Sequence, residues 1–227
     1  MKTSWRAEAP QWALLISMFV LAALTWSGSP DRIPMQWNAA GEVTRYGGRF
    51  GGLFGLPLIA LALYGLLRVA PLIDPGRANY PKFVTPFNIL RVGLLACFAT
   101  IHGLILLIVR GRQVEMATVM PMVIAALFIL LGGLMGKLRP NWFIGIRTPW
   151  TLSSKTAWVR THRIGGWLMV LLGMSILIVT PLLDGRQAMR FLIGGSVGLA
   201  IWGMVYSYFV WRTDPDKVPP AGTSPAD

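Results

Sequence analysis

Between two apolar runs lies Arg139–Lys155, RPNWFIGIRTPWTLSSK, with three cations, two prolines, two tryptophans and no acid. Within it Arg147 follows Gly145, a residue that permits unusual backbone angles, and precedes Thr148-Pro149. A rigid turn there would gather a guanidinium, a hydroxyl and the Trp150 ring. The guanidinium fork binds oxyanions through two bonds, so the chemistry on offer is capture of a phosphate or carboxylate. Three ligands fit: a lipid headgroup, a peptide, or a helix C-terminus of the chain itself. A simple Trp and Arg anchor in the headgroup zone would use the same residues.

A second set of polar residues lies inside an apolar run. Arg91 and His102 are eleven positions apart, which at ~100° per residue leaves them on one helix face, with Asn88 near the same stripe. Ionisable groups inside a membrane are costly, so such a stripe is a candidate polar track. The simpler expectation is preferred: Arg91 snorkels to the inner interface, and His102 bonds a neighbouring backbone or hydroxyl. The acids Glu115 and Asp184 flank helix ends rather than centres, which weakens an ion-coupled carrier. Gly194-Gly195-Ser196-Val197-Gly198 matches a hydrolase motif, but that motif needs a strand–turn–helix elbow and here falls inside a helix. These glycines, with Gly132, Gly136, Gly51 and Gly55, are expected to let helices approach. The lone Cys97 lies in an apolar run, so no disulfide framework or metal cluster is expected, and with no clustered carboxylate or metal set neither a catalytic site nor a cofactor is expected.

The elements that must position these groups follow from hydropathy. The chain is 54% hydrophobic and 13% charged, about half the charge of a soluble domain. Six runs reach the ~20 residues a bilayer crossing needs, at about 10–27, 52–72, 88–109, 114–136, 163–183 and 188–210. The expected fold class is therefore an all-α polytopic membrane protein with six transmembrane helices and both termini cytoplasmic. Of the 21 Lys and Arg residues, thirteen then lie inside and seven outside, with Arg91 within a helix. The positive-inside rule accounts for the net charge of +12 with no nucleic acid partner. The lipid bilayer is the partner composition implies.

Residues 28–51 read as a turn-rich outer loop, with Trp37 and Tyr46 as interfacial rings. Pro140, Gly145 and Pro149 forbid a regular helix over 139–151. Ser153 or Ser154 caps a helix that continues to Thr180, so Trp158, His162 and Arg163 are expected in the cytoplasmic interface. The chain divides into 1–109, 110–212 and a disordered tail, 213–227. PLIDPGR (71–77) and PLLDGR (181–186) echo one another, which leaves room for an inverted three-plus-three repeat and a small-molecule or ion transporter.

Asn141, Phe143, Gly145, Arg147-Thr148-Pro149-Trp150-Thr151-Leu152, Trp158 and Thr161-His162-Arg163 together resemble the signature of the SdpI family of bacterial membrane immunity proteins. Asp31, Arg32, Pro34, Trp37, Asn38, Gly41 and Glu42 resemble a domain of unknown function that commonly precedes it. Gln36 and Thr44 stand where that domain usually has a His and an acid. The resemblance implies a multi-pass protein of the bacterial inner membrane that protects against a secreted peptide toxin and, in some members, signals to a cytoplasmic repressor. The outer residues would then contact the toxin. The inner ones would orient the bundle or meet the repressor.

Overall fold

The computed structural model describes residues 5–217. Lys2 and positions 218–227 of the expected tail lie outside the described residues. Six helices are long and apolar enough to cross a bilayer: α1 (Trp5–Thr25), α2 (Arg49–Ile73), α3 (Val84–Val109), α4 (Met116–Met135), α6 (Lys155–Val179) and α7 (Gly185–Arg212). A five-residue α5 (Pro149–Ser153) sits in the loop between α4 and α6. The chain is a multi-pass, all-α membrane protein carrying one small β-hairpin.

Two helices begin five or more residues earlier than hydropathy suggests. α1 starts at Trp5, because Glu8 and Gln11 are buried rather than solvated. α6 starts at Lys155, where Ser154 accepts a hydrogen bond from Ala157 N and so satisfies one free amide of the first turn.

The loop between α1 and α2 is a hairpin, not an irregular run of turns. Strand β1 (Arg32–Trp37) pairs antiparallel with β2 (Val43–Gly48). Asn38 closes it: its Oδ1 accepts from Ala40 N and Glu42 N at 2.9 and 3.0 Å, and its Nδ2 donates to Glu42 Oε2 at 2.7 Å. Gly41 takes φ +80°, the left-handed backbone that favours glycine. Alternation along β1 aims Ile33 at the bundle, where it is fully buried against Gly52 of α2.

α1, α2 and α3 pack around Leu15, Met18, Ala60 and Leu95. α4, α6 and α7 form the other half, around Ala125, Ile176 and Leu192. The tightest helix contact lies between α4 and α6. A Cβ on Gly132 would stand 2.6 Å from Gly166 O, and one on Gly173 would stand 2.7 Å from Ala125 O. Of the glycines expected at helix contacts, Gly132 serves that role, and so does Gly195, where a Cβ would stand 2.4 Å from Leu172 of α6. Gly55, Gly194 and Gly198 have nothing within 4 Å and lie away from close helix crossings; Gly51 faces only the Met35 side chain, and a Cβ on Gly136 would be in ordinary contact with Arg163 Cα of α6 at 3.9 Å.

The echoed Pro-Leu-acid motifs do different work. Asp184 N-caps α7 in a capping box with Gln187. Asp74 follows the end of α2 and reaches across to another loop.

Candidate functional site

The loop between α4 and α6, expected on the inner side, is built on Asn141. Its Oδ1 accepts from Phe143 N and Ile144 N at 3.0 and 2.7 Å, while Nδ2 donates to Arg139 O and Ile144 O at 2.9 and 3.1 Å. Every hydrogen-bonding position of a buried amide is thus occupied, which makes it a fixed folding point rather than a free contact. Asp74 braces the loop from outside. Its carboxylate accepts from Gly76 N at 2.6 Å, Tyr80 Oη at 2.8 Å and Trp142 N at 3.0 Å. Burial, then the bond to Asp74, push the Tyr80 phenol above its usual pKa. Asn79 adds a bond to Pro140 O at 2.8 Å.

Beneath this loop lie Trp158 and His162, both buried and stacked at 3.9 Å between ring centroids. The loop folds over both rings, so neither is exposed at the surface. Trp158 Nε1 donates to Leu138 O at 3.1 Å, and Phe143 packs against the same apolar cluster. His162 Nδ1 donates to Trp158 O at 2.8 Å, and Nε2 accepts from Ile146 N at 3.0 Å. An amide N–H aimed at Nε2 requires that nitrogen to be unprotonated, so the ring is held as the neutral Nδ1–H tautomer. Gly145, at φ +112°, lies where any Cβ would overlap His162 Nε2. Gly145 and His162 therefore form one structural joint.

Thr148 caps α5 and, with Thr151, completes a capping box around Pro149. Thr151 Oγ1 donates to Ile146 O at 2.7 Å. Thr148 Oγ1 meets Ser207 Oγ of α7 at 2.9 Å, and Trp150 packs edge-on against Tyr208. Ser154 donates a short bond to Asp214. That bond holds the Asp214 carboxyl below its usual pKa. Thr213–Lys217 thus turn back against the loop, and Lys217 lies over the Trp211 ring at 5.0 Å. Arg147 and Arg163 are exposed, and Arg147 Nη1 donates to Trp142 O at 2.5 Å.

On the opposite end of the bundle, Asn38, Gly41 and Glu42 are spent on the hairpin turn. Asp31 pairs with Arg49 at 3.0 Å, Arg32 lies over the Tyr46 ring at 5.2 Å, and Pro34 and Trp37 are half-buried in β1.

Within the bundle, Arg91 does not snorkel. It is 1% exposed and forms two bonds to Glu8 of α1, at 3.0 and 3.1 Å. Tyr64 of α2 donates to the same carboxylate at 2.8 Å, and Asn88 accepts from Arg91 at 3.4 Å. His102 Nε2 donates to Leu53 O at 3.0 Å. That carbonyl has no helical partner because the residue four positions on is Pro57, which lacks an N–H. Although Arg91 and His102 sit on one helix, each is closed off by its own partners.

Residues 137–207 match the SdpI/YfhL protein family, and residues 13–61 match a domain of unknown function (DUF1648). The chain is 23% identical over 162 residues to Immunity protein SdpI of Bacillus subtilis (strain 168), covering 71% of this chain and 75% of that protein. The likeness to the SdpI/YfhL family model covers 71 of the chain's 227 residues. No solved structure matches the chain significantly.

The SdpI/YfhL region contains the whole inner loop, with Thr148 and its partner Ser207. The N-terminal match contains the hairpin. Several groups that hold these parts in place fall outside both matches. Asp74 is one, and its motif was visible in the sequence only as an echo of 181–186. Glu8 precedes the apolar run that marks α1, and Asp214 follows the one that marks α7. No local pattern ties any of the three to its partner.

Proposed function

We propose that this chain is an SdpI-type immunity protein of the bacterial inner membrane, protecting its cell from a membrane-active peptide toxin. The reading takes both termini as cytoplasmic, in keeping with the basic excess on that side. The observation that carries it is the hairpin. It is anchored by Ile33 in the bundle and presents Arg32 over Tyr46 on the outer side. A braced cation–aromatic edge suits a peptide carrying carboxylate or carbonyl groups. Because Asn38 and Glu42 bond one another, toxin contact falls on Arg32, Tyr46 and Arg45 rather than on the turn.

On the inner side, exposed Trp142, Arg147 and Arg163 are the surface for a cytoplasmic repressor. The protein is read as acting by binding, and Ser196 of the G-x-S-x-G stretch is bonded back to Leu192 O of its own helix at 2.7 Å.

The test is expression in a toxin-sensitive bacterium followed by challenge with the peptide. The wild-type chain should raise survival. Arg32→Ala combined with Tyr46→Ala should remove that gain at equal membrane abundance. Wild-type cells that die like the empty-vector control, with insertion verified, overturn the reading.

A further inference from the structure

We propose that the cleft beneath Arg147 binds an anionic phospholipid of the cytoplasmic leaflet. The cleft, about 310 Å³, lies between α4, α6 and α7, and the inner loop forms its roof. Phe128 and Met135 line it from α4, Gly165 and Met169 from α6, and Leu199 and Ala200 from α7. Ile146 wedges between Gly165 and Gly203 and so joins the roof to two walls. Ala200 and Met204 are exposed on the membrane face of α7, which gives a lipid lateral entry.

The chemistry is graded along the cleft. At the roof, Arg147 has one guanidinium nitrogen fixed to Trp142 O, and among the described residues no carboxylate pairs with it. A guanidinium held from one side and unneutralised is oriented for a phosphate. The neighbouring Thr148 hydroxyl is already committed to Ser207 and Thr151. Deeper in, the hydroxyl of Ser196 is spent on its own helix, so the lower cleft offers no free donor and suits hydrocarbon. From Ser196 to Met204 the lining runs ~12 Å at 1.5 Å per residue. That is close to the ~15 Å of one leaflet in a ~30 Å core. A charged head at the loop and an acyl chain below it match both ends. A peptide would leave its backbone groups unpaired there.

The experiment uses the full chain, delipidated in detergent and then offered dioleoyl phosphatidylglycerol or dioleoyl phosphatidylcholine, with retained lipid read by native mass spectrometry. The wild type should retain the anionic lipid about tenfold more than the zwitterionic one, the scale of one charge-assisted pair. Arg147→Ala should bring the two to parity, and Arg147→Lys should restore part of the preference. Ala200→Trp, on the membrane face and away from the loop's bonds, should fill the cleft and abolish retention of both. Equal retention of the two lipids by the wild type overturns the proposal, as does unchanged retention in Ala200→Trp. If Arg147→Ala fails to fold, Arg147→Lys and Ala200→Trp still decide it. The readout involves no toxin, so its failure and a failure of the immunity reading are separable.

Discussion

His162 illustrates how a residue type that invites a catalytic reading becomes structural once both ring nitrogens have fixed partners. With Nδ1 donating to Trp158 O and Nε2 accepting from Ile146 N, the ring cannot take up or pass on a proton without breaking one of these bonds. Gly145→Ala should lower stability by roughly 1–3 kcal/mol from backbone strain, and the overlap with His162 adds to that. Thermal unfolding in detergent reads it, and an unchanged midpoint would remove the joint from the account. Arg91 makes the same point with charge. Glu8→Ala leaves a guanidinium buried without its main partner, at a cost of roughly 3–5 kcal/mol, whereas the paired change Glu8→Leu with Arg91→Met should recover most of it. If the double variant is no better than Glu8→Ala, the ion pair is not what holds α1 to α3. The contact of His102 with backbone was legible from its apolar surroundings. The partner of Arg91 was not, because Glu8 lies in the polar-looking stretch before the hydropathy run and 83 positions away.

Elements were read more completely than side-chain partners, because a bilayer demands long apolar helices and hydropathy measures that demand directly. The Ser154 cap and the Pro and Gly breaks of 139–149 were equally visible, since each acts on its own neighbours. The hairpin escaped notice because Pro34 and the glycines of β2 signal turns, while the pairing depends on Asn38 and on a pocket at Gly52 supplied by another helix. The C-terminal end of α7 was hidden for a similar reason. Thr213–Lys217 look polar and unstructured, yet Asp214 ties them to the start of α6. This tie predicts a pH response. The folded carboxyl titrates below the ordinary Asp value of about 3.9, so its contribution is complete above that value. It drains away as pH falls through the lowered folded pKa. Acidification below about pH 3.9 should expose this segment to proteolysis in the wild type, and Asp214→Asn should be cut at neutral pH as readily as in acid. A wild-type segment equally resistant across that range would discount the tie.

For the whole molecule, the decisive quantity is how many times the chain crosses between its two ordered loops. The hairpin lies between α1 and α2, and the SdpI/YfhL loop lies between α4 and α6. If all six candidate spans cross, α2, α3 and α4 separate the two, and an odd number of crossings puts them on opposite faces. An outer hairpin and an inner loop both require that parity, as does a cytoplasmic-leaflet lipid in the cleft below Arg147. Because Cys97 is the only cysteine, Cys97→Ala gives a clean background for single probes. Asn38→Cys costs the turn its cap, so Thr44→Cys, exposed on β2, is the better outer reporter. Arg163→Cys, exposed two turns into α6, serves for the inner face. In intact cells a membrane-impermeant maleimide should label position 44 alone, and in inverted vesicles position 163 alone. Reaction of both from one side would break the parity, and with it the separation of a toxin-facing surface from a lipid- and repressor-facing one.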